Sequence, residues 1–209
     1  MKYDPKIHHR RSIRLPHWDY SWGWWYYVTI AVKDRRCDFG RVDNDVVVLS
    51  TLGAAADDCW KQIPQHHAGV ELDDYVIMPN HVHGILILND DVRRDVQLSE
   101  GLLSENVPTD TNTLNVPTDA NKLNVPLKVK NEAMAALSPK KGSLPVILRT
   151  FKAAVTTWAR ENHHERFGWQ ERFHDHIIRN DADLRRIREY IQTNPLKWAF
   201  DEENPNNVT

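Results

Sequence analysis

The chain predicts an α+β fold of the ferredoxin-like (RRM-like) kind: an antiparallel sheet with helices on one face, plus a C-terminal helix that bears Tyr190. Three observations predict it. Strand-like and helix-like segments follow one another as β-α-β-β-α-β-α, the two central strands are joined by a Pro-Asn turn, and the helices between strands each carry an apolar stripe. The second sheet face of such a sandwich is expected to be free to bind something. A length of 209 residues and 41% hydrophobic content suffice for the core of one domain.

Residues 26–32 (YYVTIAV) are β-branched and aromatic, hence a strand, and 46–50 (VVVLS) read as a shorter one. Ser50 or Thr51 then caps a helix over 52–63, where Leu52, Ala55, Ala56, Cys59, Trp60 and Ile63 recur at three- and four-residue spacing until Pro64 stops it. Strands at 72–78 (LDDYVIM) and 81–88 (HVHGILIL) flank Pro79-Asn80 as an antiparallel hairpin. Residues 144–162 form a helix with one apolar face and one basic face, the latter carrying Arg149 and Lys152. The segment 172–179 (RFHDHIIR) is the last strand. Asn180 or Asp181 caps a final helix in which Leu184, Ile187, Ile191 and the stem of Arg188 face inward, ending at Asn194-Pro195.

Between the two halves the composition changes. NVPTDTNTL (106–114) is followed by NVPTDANKL (115–123) and a third NVP, a nine-residue repeat too short and polar to close a solenoid core. Residues 90–144 are therefore expected to be a flexible low-complexity insertion in a single domain made of 1–89 and 145–200, with 201–209 a disordered tail.

No run reaches the ~18 apolar residues of a membrane span, and the N-terminus lacks an apolar signal core, so a soluble, cytoplasmic chain with no membrane partner is expected. Cys37 and Cys59 form neither a disulfide framework nor a CxxC pair, which leaves reduced thiols and excludes zinc fingers. The net charge of −2 hides an asymmetry. Residues 1–41 carry nine Lys/Arg against four Asp/Glu and 149–197 ten against seven, whereas 42–89 carry one against seven. Basic ends admit a nucleic-acid partner without requiring one.

His81-Val82-His83 places two imidazoles on one face of a strand. That pattern is a divalent-metal half-site, or simply two polar residues alternating on a half-exposed strand. Tyr190 and Asn194, four apart on the last helix, share a face. They suit a nucleophile beside a metal ligand, but equally a core tyrosine with its hydroxyl at the rim and a helix-terminating asparagine. His174 and His176 make a second HxH, for which structural or DNA-contact roles are favoured over metal.

MPNHVHGILIL (78–88) together with REYIQTNPLKW (188–198) resembles the REP-associated tyrosine transposases, relatives of the single-tyrosine HUH insertion-sequence transposases. RRSIRLP (10–16), YYVTIAVKDRRCDFG (26–40), LRTFKAAVT (148–156) and WQERFHDHIIRN (169–180) extend the match; the repeat insertion lies outside it. The resemblance implies a metal-dependent DNA strand-cleaving and rejoining enzyme, with His81, His83 and Asn194 as ligands of Mg²⁺ or Mn²⁺ and Tyr190 as the nucleophile of a 5′-phosphotyrosine intermediate. It makes His176 an auxiliary residue and single-stranded or hairpin repeat DNA the substrate. Arg10, Arg11, Arg14, Arg149, Lys152, Arg185, Arg186 and Arg188 are candidate phosphate contacts. The cluster Trp18, Trp22, Trp24 and Trp25 serves either base stacking or the core. A water-using nuclease and a non-cutting hairpin binder are the alternative readings, and monomer and homodimer both stay open.

Overall fold

The computed structural model describes residues 15, 18–90, 139–201 and 203–207. Arg10, Arg11, Arg14 and the repeat-bearing segment 91–138 lie outside the described residues, so the expectation of a flexible insertion does too.

In chain order the elements are β1 (Trp25–Ala31), β2 (Gly40–Asp43), β3 (Val46–Leu49), α1 (Thr51–Lys61), a single turn α2 (Ile63–His66), β4 (Val70–Ile77), β5 (His81–Leu88), α3 (Leu144–Glu161), β6 (His174–Ile177) and α4 (Asp181–Thr193). Short 3-10 turns at Pro195–Phe200 and Pro205–Asn207 follow. One antiparallel sheet runs in the order β4-β5-β1-β6, the ferredoxin-like arrangement, while β2 and β3 pair only with each other. β3 is the short strand expected at 46–50, whereas its partner β2 and their pairing into a separate hairpin are additions to the predicted order. The hairpin's two-residue turn, Asn44-Asp45, has φ of 48° and 63°, the left-handed pair of a type I′ turn.

Alternation decides what each sheet face meets. Tyr26, Val28 and Ile30 of β1 and Val82 and Leu86 of β5 join Leu52, Ala56 and Trp60 of α1 and Ile147, Leu148, Phe151 and Val155 of α3 in the main core. Fully burying each aliphatic side chain there contributes about 1.5–3 kcal/mol. α1 begins where the Ser50 side chain accepts from the Gly53 amide at 3.0 Å, and α4 where Asn180 Oδ1 accepts from the Asp183 amide at 2.9 Å, both as the cap residues foretell. Pro64 sits inside α2 rather than ending α1, because Pro fits the first turn of a new helix. Among the described residues no helix is long and apolar enough to cross a membrane.

Two expectations change. The second sheet face is not free, because α4 lies on it, with Ile187 and Ile191 packed on Ile85 and Ile178 beside Trp25, Tyr27 and Val76. The tail is not disordered where it is described. Asn204 is buried with its amide donating to the Trp198 carbonyl at 2.9 Å, and Glu203 meets Arg35 at 3.3 Å. A polar tail sequence hides such docking, since the Trp198 carbonyl that holds Asn204 carries no sequence signature.

Gly84 is required by packing. A Cβ there would stand 2.3 Å from Trp60 Cζ2, and the indole is fully buried. Gly84→Ala should destabilise the fold by about 1–3 kcal/mol through overpacking. Urea denaturation would show a lower midpoint at unchanged slope; an unchanged midpoint would contradict this contact.

Candidate functional site

Residues 81, 83 and 85 of β5 face α4, and β1 opposes Thr29 to His83 and Ala31 to His81. Both histidines are buried, their ring centroids 4.4 Å apart. His81 Nδ1 lies 2.8 Å from Asn80 Oδ1. The Asn80 amide nitrogen donates to the carbonyls of Arg35 (3.0 Å) and Glu203 (2.6 Å), which leaves its oxygen as the acceptor facing His81. His81 thus carries its proton on Nδ1 and keeps a lone pair on Nε2. His83 Nδ1 lies 2.8 Å from the Tyr27 hydroxyl and 2.9 Å from Thr29 Oγ1. These contacts hold Nδ1 on the β1 side of the ring, so that Nε2 is the nitrogen without a protein partner. Burial pushes the His81 imidazolium down to about 4 against the opposing Asp201 carboxylate, and holds His83 well below its ordinary value with His81 adding to the effect. Both rings are neutral at pH 7, the form that binds metals.

Three buried atoms have no hydrogen-bond partner among the described residues and are relevant here: His81 Nε2, His83 Nε2 and Asn194 Oδ1. Asp201 supplies a carboxylate, and the ligand atoms of His81, His83 and Asp201 all lie within 4.8 Å of one another. Two imidazole nitrogens and a carboxylate fit a divalent cation, and buried polar atoms left without a partner are costly. Asp201 follows the 3-10 turn after α4, and its Oδ1 accepts from the Glu203 amide at 2.7 Å, which fixes the side chain. Sequence reasoning missed it. Position 201 was expected in a disordered tail, and no spacing to the histidines marks it.

α4 brings the tyrosine. The Tyr190 ring is 5.3 Å from that of His83 and 6.4 Å from that of Tyr27, while 41% of the residue remains exposed. Asn194, one turn on, is the buried C-cap of the same helix. The helix is held in place by charge as well as by isoleucines. Arg188 Nε donates to Asp73 Oδ1 at 3.0 Å and its Nη2 to Asp73 Oδ2, and Gln192 donates to Asp74 Oδ2 at 2.7 Å. Both aspartates sit where the β4–β5 register shifts between Leu72 and Tyr75, and that irregularity re-aims them at α4.

The remaining predicted residues are distributed unevenly. His174 and His176 share the sheet face of Thr29 and Tyr27 but do not join the ligand group. His176 Nε2 instead meets Asp183 Oδ2 at 2.7 Å, and Asp183 Oδ1 accepts from Arg186 at 2.6 Å. The His176 hydrogen bond holds the Asp183 carboxyl below its ordinary range. Arg188 is engaged by Asp73, and Lys152 by the carbonyls of Gln170 (3.0 Å) and Arg172 (2.5 Å), where burial pulls its ammonium down to about 8. These two cations are each tied to other parts of the fold by those contacts. Arg149 and Arg185 are exposed.

The wild-type protein is expected to bind Mn²⁺ in a calorimetric titration, His83→Ala to lose that binding, and Asn80→Ala, which frees the His81 ring, to weaken it by about 10–100-fold. Equal affinity in all three would contradict the assignment.

No family model matches the chain. A Haemophilus influenzae protein, described as uncharacterized, is 36% identical over 201 residues that cover 96% of each chain. Among solved structures, a REP-associated tyrosine transposase bound to a REP hairpin superposes with a TM-score of 0.48 at 17% identity, over 86% of this chain and 71% of that one.

Proposed function

This chain belongs to the same family as the Haemophilus influenzae protein, and we propose that it is a metal-dependent transposase-type transesterase that cuts and rejoins single-stranded DNA at hairpin-forming repeats. One observation carries the reading: a half-exposed tyrosine, Tyr190, lies against His83, beside buried lone pairs of His81, His83 and Asn194 that await a cation. The ordered pair of motifs around those residues, MPNHVH and YIQTN, supports it.

A Mg²⁺ or Mn²⁺ ion held by His81, His83, Asn194 and Asp201 would supply positive charge to a non-bridging oxygen of the scissile phosphate. The Tyr190 oxygen attacks phosphorus, an O–P bond to the tyrosine forms, and the bond from phosphorus to the 3′ oxygen breaks. The phenolic proton ends on that 3′ oxygen. The products are a 5′-phosphotyrosine and a free 3′-OH, and attack by a 3′-OH reverses the step with no nucleotide cofactor. Asn80 keeps the His81 imidazole in the tautomer the ion needs, and Tyr27 and Thr29 orient the ring of His83. Ile187, Ile191 and the Arg188–Asp73 pair hold α4 so that Tyr190 meets the phosphate at one distance, which is where much of the rate enhancement of a positioned nucleophile arises. Arg149, Arg185 and Arg186, with Arg10, Arg11 and Arg14 of the N-terminal arm, bind backbone phosphates.

Incubation with labelled hairpin DNA bearing unpaired tails and Mn²⁺ should give a protein–DNA adduct on a denaturing gel that disappears with chelator and with Tyr190→Phe, while Tyr190→Phe still binds the hairpin. Cleavage without adduct would replace this reading by a hydrolytic nuclease, and binding without cleavage by a non-cutting hairpin binder.

A further inference from the structure

Two tryptophans have no part in the site just described. Trp22 is 49% exposed and Trp24 40%, whereas the other tryptophans of the chain are buried or half-buried. Neither indole is loosely held. Trp24 Nε1 donates to the Ile178 carbonyl at 2.7 Å. Trp18 packs edge-on against both rings, at 5.2 Å from Trp22 and 5.7 Å from Trp24. Trp18 is in turn fixed by donating to the Tyr26 hydroxyl at 3.2 Å, and that hydroxyl donates to the Trp22 carbonyl at 3.1 Å. The exposed aromatic surface is therefore pre-organised, which reduces the entropy lost when something stacks on it.

Beside Trp24 opens a cleft of about 490 Å³, within the range of small-ligand sites. Trp24, Trp25, Ile87 and Leu184 give it an apolar wall with two indoles, while Asp90 and Asp181 bring carboxylates and Arg179 a guanidinium to its lining. A π-surface flanked by strong acceptors and a strong donor is what a nucleobase requires, since its faces stack and its edges carry amino donors and ring-nitrogen or carbonyl acceptors. The location fits as well. Ile87 lies four residues beyond His83 on the same side of β5, about 13 Å away. Leu184 lies six residues before Tyr190 on α4, about 9 Å along the axis. A strand whose phosphate reaches Tyr190 can run along α4 to the cleft.

Resting on the function proposed above, we propose that this cleft holds one unpaired base of the DNA strand being processed, stacked on Trp24 and read at its edge by Asp90 and Arg179. The site would choose which phosphodiester stands at Tyr190, because the base in the cleft sets the register of the strand along the helix.

The test uses hairpin DNA with unpaired tails in which each tail nucleotide is replaced in turn by an abasic site, and separately by 2-aminopurine. With wild-type protein one tail position should lose roughly 5- to 150-fold in affinity when abasic, the range expected for one base–aromatic stack. 2-Aminopurine at that position should be quenched on binding. Trp24→Ala should be insensitive to the abasic change there, and Trp24→Phe should keep most of the sensitivity. The scan and the quenching are read on wild type, so they hold even if Trp24→Ala folds poorly. If no tail position matters, or if Trp24→Ala and wild type lose the same factor, the inference is overturned while adduct formation at Tyr190 still stands. If wild type binds no hairpin DNA and forms no adduct, the proposed function falls with it. If Trp24→Ala instead dissociates a DNA-free dimer in sedimentation, the cleft is covered by a second copy of the chain and the inference is likewise overturned.

Discussion

The register of β5 between β1 and β4 is the constraint on which the rest depends. Because side chains alternate, one register sends Val82, Leu86 and Leu88 into the core and His81, His83 and Ile85 to the opposite face. A slip by one residue would bury the wrong set and scatter the histidines. Gly84 helps to hold the register, since a Cβ at that position would stand 2.3 Å from Trp60 Cζ2. The same alternation sets Thr29 directly across from His83 and Tyr27 within reach of its Nδ1, so the residues that orient the imidazole follow from strand pairing alone.

The second layer of the site is α4. A helix laid across a sheet face that also carries polar groups needs more than two isoleucines to hold one position, and the Arg188–Asp73 and Gln192–Asp74 contacts fix its rotation. Burial pushes the Asp73 carboxyl up, but the hydrogen bond from Arg188, that from the Asp74 amide and the Arg188 charge together more than offset this and leave it below the ordinary range, so the pair is charged at neutral pH. Its worth is modest for an ion pair half open to water. Its geometric effect is larger, because Tyr190 and Asn194 move with the helix. The chain then turns back through residues 195–200 and delivers Asp201 to the histidines.

Much of this was legible in the sequence because periodicity reports burial. The apolar spacing of 52–63 and 144–162, the Pro79-Asn80 turn and the Asn180 cap each correspond to an observed element, and the two HxH histidines lie together with Tyr190 against them. What escaped has physical reasons. The β2–β3 hairpin turns on Asn44-Asp45, a weaker type I′ signal than Asn-Gly. Arg188 and Lys152 look like solvated cations in one dimension, and only the fold places an aspartate or two carbonyls beside them. The contribution of Asp201 depends on a tail held by backbone carbonyls, which no residue pattern encodes.

The central claim is that a single oxygen, that of Tyr190, becomes bonded to DNA. The most direct measurement is tryptic peptide mapping by mass spectrometry after nuclease trimming of protein incubated with Mn²⁺ and tailed hairpin DNA. The account predicts a nucleotide attached through phosphate to the peptide spanning residues 189–197, on Tyr190. Attachment to Tyr27 or to a serine or threonine, or recovery of that peptide wholly unmodified alongside cleaved DNA, would contradict it.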